Sequence, residues 1–171
     1  APKSVFVVRN ADVTFSGEGT IKETEPFNGA VEVYGSTTSV ANYTTVTIGP
    51  DVELIAWSPI MVRQGAGNTN YGSTVNVYGK LTGINDRDDG LGIGIYVNGS
   101  IKNSVENYPV INIYEGAIIS GTGDCIYGAG YAKWNIEGGE ITGVESAIGL
   151  KAGIWNISGN TKITATGENM A

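Results

Sequence analysis

The chain has 171 residues, a formal net charge of −7 and no histidine, and it contains 19 Ile, 16 Val and 26 Gly against only four Leu. Because β-branched residues suit strands better than helices, this composition excludes a helix bundle and a coiled coil and predicts an all-β protein. The acidic balance argues against nucleic acid and anionic membranes as partners, and the chain lacks an apolar run of the roughly 18 residues that a membrane-spanning helix needs.

A short apolar–polar–apolar phrase recurs along the chain, and Val, Ile or Trp usually fills its two apolar positions. Clear copies begin at Val46, Val75, Ile111, Trp134 and Trp155, and Val5 with Val7 predicts an earlier copy. Second and third apolar segments accompany each phrase, and Val31 to Val33 and Cys125 to Tyr127 are examples of the third. Gly- and Asn-rich bends separate these segments, so every repeat is predicted to contain three short strands.

Three short strands in a repeat of about 21 residues are typical of a parallel β-helix, whose coils stack about 4.8 Å apart. An antiparallel sandwich or barrel is the alternative for strands separated by glycine. A sandwich does not need like residues at like positions, whereas Asn stands between the two apolar residues in four successive copies, as Asn76, Asn112, Asn135 and Asn156. The sequence therefore predicts a single-stranded parallel β-helix of about six coils with three strands per coil, right-handed because parallel crossover connections favour that hand.

The four Asn side chains are expected on the outer face, because alternation along a strand places them opposite the buried Val and Ile. Stacked Asn side chains hydrogen-bond along a column, as identical residues do in cross-β stacks. Tyr78 and Tyr114 follow two of these Asn residues by two positions and share their face. A flat platform of amides and aromatic rings is therefore predicted there.

Two glycine-bounded phrases, Gly121–Gly123 and Gly138–Gly143, complete the pattern of apolar–Asn–Ile followed by a glycine bend. The pattern resembles right-handed parallel β-helices of the pectate-lyase-like superfamily, and it is especially similar to modules of large surface proteins of Gram-positive bacteria. The resemblance covers nearly the whole chain, although architectural residues carry it. It implies a non-catalytic interaction module that is secreted or displayed on a bacterial cell surface. Such a module is adhesive or carbohydrate-binding, and its partner is a polysaccharide or a host or cell-wall glycan.

A polysaccharide-degrading enzyme on the same scaffold and a structural stalk are the alternative functions. The hydrolases that the chain resembles use several Asp residues with a histidine, and the chain has no histidine. A pair of carboxylates alone can cleave glycosides, and the candidates in successive repeats are Asp89, Asp124 and Glu145. Their offsets from the following strand differ, so no catalytic residue is assigned.

Residues 1–171 are predicted to form one β-helix domain. The chain stops after the second strand of its last repeat, which contains Ile163 and Ala165. Solenoids need polar caps at open ends, and the segment after residue 157 does not have the pattern of a cap. We therefore expect the chain to be a piece of a longer repeat protein.

A tyrosine stands three or four residues before four of the first strands. These residues are Tyr43, Tyr71, Tyr108 and Tyr131, and the first three follow Asn42, Asn70 and Asn107 directly. In stacked coils such rings form a column along one edge, where sugars can stack their C–H faces on the rings and hydrogen-bond to the amides. The predicted glycan site comprises Tyr43, Tyr71, Tyr108, Asn42, Asn70 and Asn107. A purely structural column is the alternative, because rings stacked at a turn stabilise each other by about 0.5–1.5 kcal/mol.

The densest charge in the chain lies in segment 85–90, where three carboxylates fall within four positions: Asp86, Asp88 and Asp89. Calcium takes about six to eight oxygen ligands, so these side chains predict a calcium site, the one cofactor that the sequence suggests. The spacing does not match an EF-hand loop, and a solvated loop ending in glycine is the alternative.

Replacing Tyr71 with Ala separates the two explanations of the tyrosine column. If the column binds glycan, Tyr71→Ala abolishes binding on a glycan array and leaves the melting temperature unchanged. If the column only packs, each kcal/mol lost lowers the melting temperature by roughly 2–4 °C, and no array ligand is found for the parent chain. The second result would rule out a glycan site at this edge.

Overall fold

The computed structural model describes residues 4–35, 43–63, 72–85, 91–98 and 105–167. These ranges contain eighteen strands, which are β1 (Phe6–Arg9), β2 (Asp12–Phe15), β3 (Gly19–Lys22), β4 (Gly29–Tyr34), β5 (Thr44–Ile48), β6 (Val52–Ala56), β7 (Ser58–Arg63), β8 (Ser73–Val77), β9 (Lys80–Gly83), β10 (Ile95–Asn98), β11 (Val110–Ile113), β12 (Ile118–Gly121), β13 (Asp124–Gly128), β14 (Lys133–Ile136), β15 (Glu140–Gly143), β16 (Ser146–Leu150), β17 (Ile154–Ile157) and β18 (Lys162–Ala165). A 3-10 turn at Val105–Asn107 precedes β11. Within the same ranges, no helical segment has the length and apolar character to cross a membrane.

The strands form three parallel sheets of six strands each. Sheet A has the order β1-β4-β7-β10-β13-β16, sheet B has β2-β5-β8-β11-β14-β17, and sheet C has β3-β6-β9-β12-β15-β18. Each coil therefore contributes one strand to every sheet, and six coils stack to form a solenoid. The prediction of a parallel β-helix with three strands per coil is confirmed, and the antiparallel alternative is wrong.

The register of sheet B places each copy of the recurring phrase on the next. Val46 pairs with Val75, and the column continues through Ile111 and Trp134 to Trp155. These residues point inward, and Val46 through Trp134 are 0% exposed. The core is therefore a set of stacked columns, and each coil buries its apolar residues only against the coils above and below.

The first coil begins differently from the sequence prediction. Val5 and Val7 were expected to open the earliest copy of the phrase, but β1 belongs to sheet A, and Val13 of β2 is the residue that pairs with Val46. Val7 is 51% exposed and Val8 is 5% exposed, so the inward residues of β1 are those of the opposite parity. A one-residue slip in the assumed alternation moves every side chain to the other face, which explains the wrong parity. The sheet was also wrong, because the phrase of the first coil is Val13 to Phe15 in β2.

Glycine permits the tight bend between sheet C and sheet A. Gly83, Gly121 and Gly143 pair in register at the ends of their strands. A Cβ at Gly143 would collide with the carbonyl oxygen of Ser146, where the next strand begins. A larger residue would force the two strands apart, so this column of glycines sets the sharp corner.

The outer face of sheet A carries a buried ion pair. Glu32 is 2% exposed, and its Oε1 lies 2.9 Å from Nε of Arg63 on the next coil. The hydroxyl of Tyr34 donates to the other carboxylate oxygen of Glu32 at 3.3 Å. An exposed pair on sheet C offers a contrast, because Nζ of Lys162 lies 2.5 Å from Oε1 of Glu140 while both side chains are more than half exposed.

We expect Arg63→Met to lower the free energy of unfolding by about 3–5 kcal/mol, because it leaves the Glu32 carboxylate buried without its charge partner. Lys162→Met is the matched control, and breaking this exposed pair should cost less than about 1 kcal/mol. Urea unfolding monitored by tryptophan fluorescence measures both values. Equal losses in the two variants would contradict the assignment of Glu32–Arg63 as a buried pair.

Candidate functional site

The predicted tyrosine edge lies where sheet A strands lead into sheet B strands. Tyr43 is half-buried, and its hydroxyl accepts a hydrogen bond from Thr74 Oγ1 at 3.1 Å. Tyr108 is 7% exposed, and its ring centroid lies 5.5 Å from that of Tyr131, with the rings tilted by 36°. The structure therefore brings Tyr108 and Tyr131 together, and Tyr108 presents little ring surface to solvent. Asn107 closes the 3-10 turn beside Tyr108 and is half-buried.

The other members of the predicted sites, Asn42, Asn70, Tyr71, Asp86, Asp88 and Asp89, lie outside the described residues. The glycan site at the tyrosine edge and the calcium site therefore stay predictions. In the part of the chain that the structure describes, no three His, Cys, Asp or Glu side chains gather in a way that could hold a metal ion.

Two of the three carboxylates weighed for glycoside cleavage lie in the described ranges. Asp124 begins β13 and pairs in register with Ser146, whose hydroxyl donates to Asp124 Oδ1. Glu145 directly precedes Ser146 and is exposed, and Asp89 lies outside the described residues. The alternative that these three carboxylates cleave glycosides therefore stays a prediction from the sequence.

The predicted asparagine ladder is present on the outer face of sheet B. The side-chain amide of Asn156 donates to Asn135 Oδ1 at 2.9 Å, and Asn135 donates to Asn112 at 2.8 Å. Asn112 donates in turn to Asn76 at 2.8 Å, and Asn76 reaches Oγ1 of Thr47 at 3.2 Å. Asn76, Asn112 and Asn135 each donate to one neighbouring coil and accept from the other, so the ladder from Thr47 to Asn156 ties five coils together.

Tyr78 and Tyr114 stack beside this ladder, as predicted. Their ring centroids are 4.3 Å apart and their planes differ by 4°. Burial and the hydrogen bond with Tyr78 raise the pKa of Tyr114. The two rings cover each other closely, so much of the aromatic surface of the platform is used within the protein.

A second set of aromatic side chains, which we name the aromatic row, runs along sheet A and consists of Phe27, Trp57, Tyr96 and Tyr127. Successive ring centroids lie 5.3, 6.0 and 5.7 Å apart. Phe27 is 47% exposed, and the other three rings are partly exposed. With neighbouring coils about 4.8 Å apart, the row extends for about 15 Å along the solenoid axis.

Sequence reasoning missed this row, although it left a signal. Tyr96 follows Ile95 on β10, Tyr127 follows Ile126 on β13, and the two dipeptides pair in register. Alternation places the tyrosines outward, opposite the buried isoleucines. The shared Ile–Tyr dipeptide therefore predicts a stacked pair, but only once the register of the third strand is known.

Phe27 holds an unusual backbone conformation at one end of the row. Its φ is +60°, in the left-handed region that residues with a Cβ seldom adopt. Such a conformation costs roughly 1–3 kcal/mol and persists only where the surroundings impose it. The phenyl ring of Phe27 is half-exposed, and its centroid lies 5.3 Å from that of the Trp57 ring.

Charged groups surround the far end of the row. Nζ of Lys151 lies 4.9 Å from the centroid of the Tyr127 ring, and a hydrogen bond with Tyr127 raises the pKa of Lys151. Asp124 lies three residues before Tyr127 on β13. The row thus ends between an ammonium and a carboxylate.

Cys125 is fully buried at the start of β13. Burial raises the pKa of its thiol to about 12, although a hydrogen bond from the backbone of Thr142 acts in the opposite direction. The thiolate is the nucleophilic form of cysteine, so Cys125 is inert near neutral pH.

Comparison of the chain with protein-family models, curated proteins and solved structures finds no match.

We expect Cys125 to resist modification by a water-soluble disulfide reagent at pH 8 and to react fully in urea, as measured by thiol absorbance. Because its folded pKa is raised, the thiol contributes stability that is fully present below the unfolded pKa of about 8.5 and is lost as pH rises towards 12. The Cys125→Ala variant should show a smaller loss of stability between pH 9 and pH 11. Rapid labelling of the folded protein would contradict this expectation.

Proposed function

We propose that the protein is a non-catalytic interaction module, secreted or displayed on a bacterial cell surface, that binds carbohydrate. The observation that carries the proposal is the aromatic row along sheet A. Its four rings lie next to one another, remain partly exposed and follow the solenoid axis. A polysaccharide is an extended ligand with apolar C–H faces. A row of exposed rings can therefore bind it along its length, which a closed pocket cannot.

The form of the row supports a ligand in preference to packing alone. Tyr78 and Tyr114 stack face to face with centroids 4.3 Å apart, so each ring covers a face of the other. The row instead leaves Phe27 half-exposed in a strained backbone conformation. Strain of this kind tends to persist at sites where function requires it.

The environment of the reactive groups supports binding without catalysis. Cys125 is buried with its thiol protonated, and one oxygen of Asp124 is engaged by the hydroxyl of Ser146. The protonated thiol of Cys125 is therefore not a nucleophile.

A structural stalk is the second candidate function, and the asparagine ladder favours it. The ladder binds successive coils through side-chain hydrogen bonds. The two functions are compatible, because a stalk can carry a binding face along its length.

Tyr96→Ala tests the proposal, with Tyr78→Ala as a matched control. Each tyrosine is partly exposed and stacks on one other tyrosine, but only Tyr96 belongs to the row, where it also contacts Trp57. We expect the parent chain to bind at least one soluble polysaccharide in affinity gel electrophoresis. Tyr96→Ala should weaken that binding by about tenfold, equivalent to about 1.4 kcal/mol, and Tyr78→Ala should change it by less than about twofold. Equal effects of the two variants, or no binding by the parent chain, would refute the proposal.

A further inference from the structure

The first and last coils each present an apolar face along the solenoid axis. Strands β1, β2 and β3 lie at one edge of the three sheets, and β16, β17 and β18 lie at the other. We name these surfaces by their inward residues. The first-coil face consists of Phe6, Val8, Val13, Phe15 and Ile21. The last-coil face consists of Ile148, Leu150, Trp155, Ile157 and Ile163.

The strands at both faces have one unpaired edge. Among the residues that the structure describes, each of the six strands pairs with a single neighbouring strand. Half of its backbone N–H and C=O groups therefore lack a partner strand. Such an edge is a template on which another strand can pair.

Apolar side chains on the two faces are exposed where the same columns are buried farther inside. Phe6 is 42% exposed, Leu150 is 57% exposed and Ile157 is 52% exposed. Ile48 and Ile113 belong to the same column as Ile157 and are both 0% exposed. Each face therefore leaves in water the kind of surface that one more coil would bury.

The two faces are complementary because every core column begins in one and ends in the other. A column of sheet B runs from Phe15 to Ile157, and a column of sheet C runs from Ile21 to Ile163. A second copy that is placed on the last-coil face, with its axis in the same direction, continues each of these columns. Apolar residues then meet apolar residues in the parallel register that the coils already use.

The asparagine ladder also continues across such a junction. Asn156 donates to Asn135, and in the described part of the chain no side chain donates to Oδ1 of Asn156. Thr14 holds the equivalent position in the first coil, because it pairs in register with Thr47. The hydroxyl of Thr14 in a second copy can therefore donate to Asn156, in the same direction as the other bonds of the ladder.

We propose that the last-coil face binds the first-coil face of a second copy, so that the chain of residues 1–171 stacks head to tail into filaments. The two faces are different surfaces, so the contact is heterologous and each added copy presents a new last-coil face. The contact pairs the open strand edges and buries the exposed apolar side chains. This self-association is independent of carbohydrate binding, and it would extend the outer faces of the sheets from one copy to the next.

Electrostatic repulsion opposes the contact. Each copy carries a formal net charge of −7. The register places Leu150 in the column of Val8, so the exposed Lys151 would lie beside the exposed Arg9 of the second copy. Salt screens both repulsions, and we therefore expect association to increase between about 0.02 and about 0.5 M NaCl.

Two variants that each block one face test the proposal. Phe6→Asp blocks the first-coil face, and Ile157→Asp blocks the last-coil face. Both side chains are more than 40% exposed in a single copy, so the fold tolerates a carboxylate there, whereas a docked copy would bury it. Val105→Asp is the matched control, because Val105 is 55% exposed and belongs to neither face. Thermal melting verifies that each variant folds.

Sedimentation velocity at low and high salt measures the association, and electron microscopy detects filaments. We expect the parent chain and Val105→Asp to assemble at high salt and each face variant alone to stay a monomer. An equimolar mixture of the two face variants should form a dimer and nothing larger, because one intact face of each kind remains. A parent chain that is monomeric at every salt concentration would refute the proposal. Continued assembly of either face variant alone, or a mixture that stays monomeric while the parent chain assembles, would show that the copies do not join head to tail through these faces.

Discussion

In-register parallel pairing is the constraint on which the rest of this molecule depends. It places every side chain about 4.8 Å from the side chain at the same position of the next coil. Apolar residues therefore stack on apolar residues in the core, and Asn stacks on Asn along sheet B. Like charges would repel each other at this spacing. On sheet C opposite charges are therefore adjacent, and Glu53 pairs with Lys80 and Glu140 with Lys162.

The same constraint stacks the side chains of equivalent outward positions into a column. The chemistry of those side chains decides whether the column stabilises the protein or is open to a ligand. The asparagine ladder uses its amides to hydrogen-bond from coil to coil, so its principal effect is to hold the stack together. The aromatic row is different, because the centroids of neighbouring rings lie 5.3 to 6.0 Å apart and all four rings keep part of their surface exposed. Surface that the protein does not use for itself is available to a ligand.

Much of the fold follows from a pattern that repeats in the sequence itself. Asn76, Asn112 and Asn135 stand between apolar residues, and this repetition predicts both the parallel register and the outward face of the Asn side chains. The first coil was harder to assign, because Phe6, Val7 and Val8 are all apolar and do not reveal which parity faces the core. The aromatic row was missed for a related reason. Trp57 lies at a corner and Tyr96 within a strand, so only the folded connections bring them together.

Since each coil contacts only the coils directly above and below it, the coils can separate one after another under mechanical force. Tension along the solenoid axis loads every interface between coils equally, and an outer coil can separate while the others stay intact. Trp134 and Trp155 stack one coil apart, with 21 residues between equivalent positions. A coil that detaches and extends therefore releases roughly 70 Å of chain. A protein of this architecture would lengthen in steps under load. The coils that have not detached would keep the outer faces of their sheets folded.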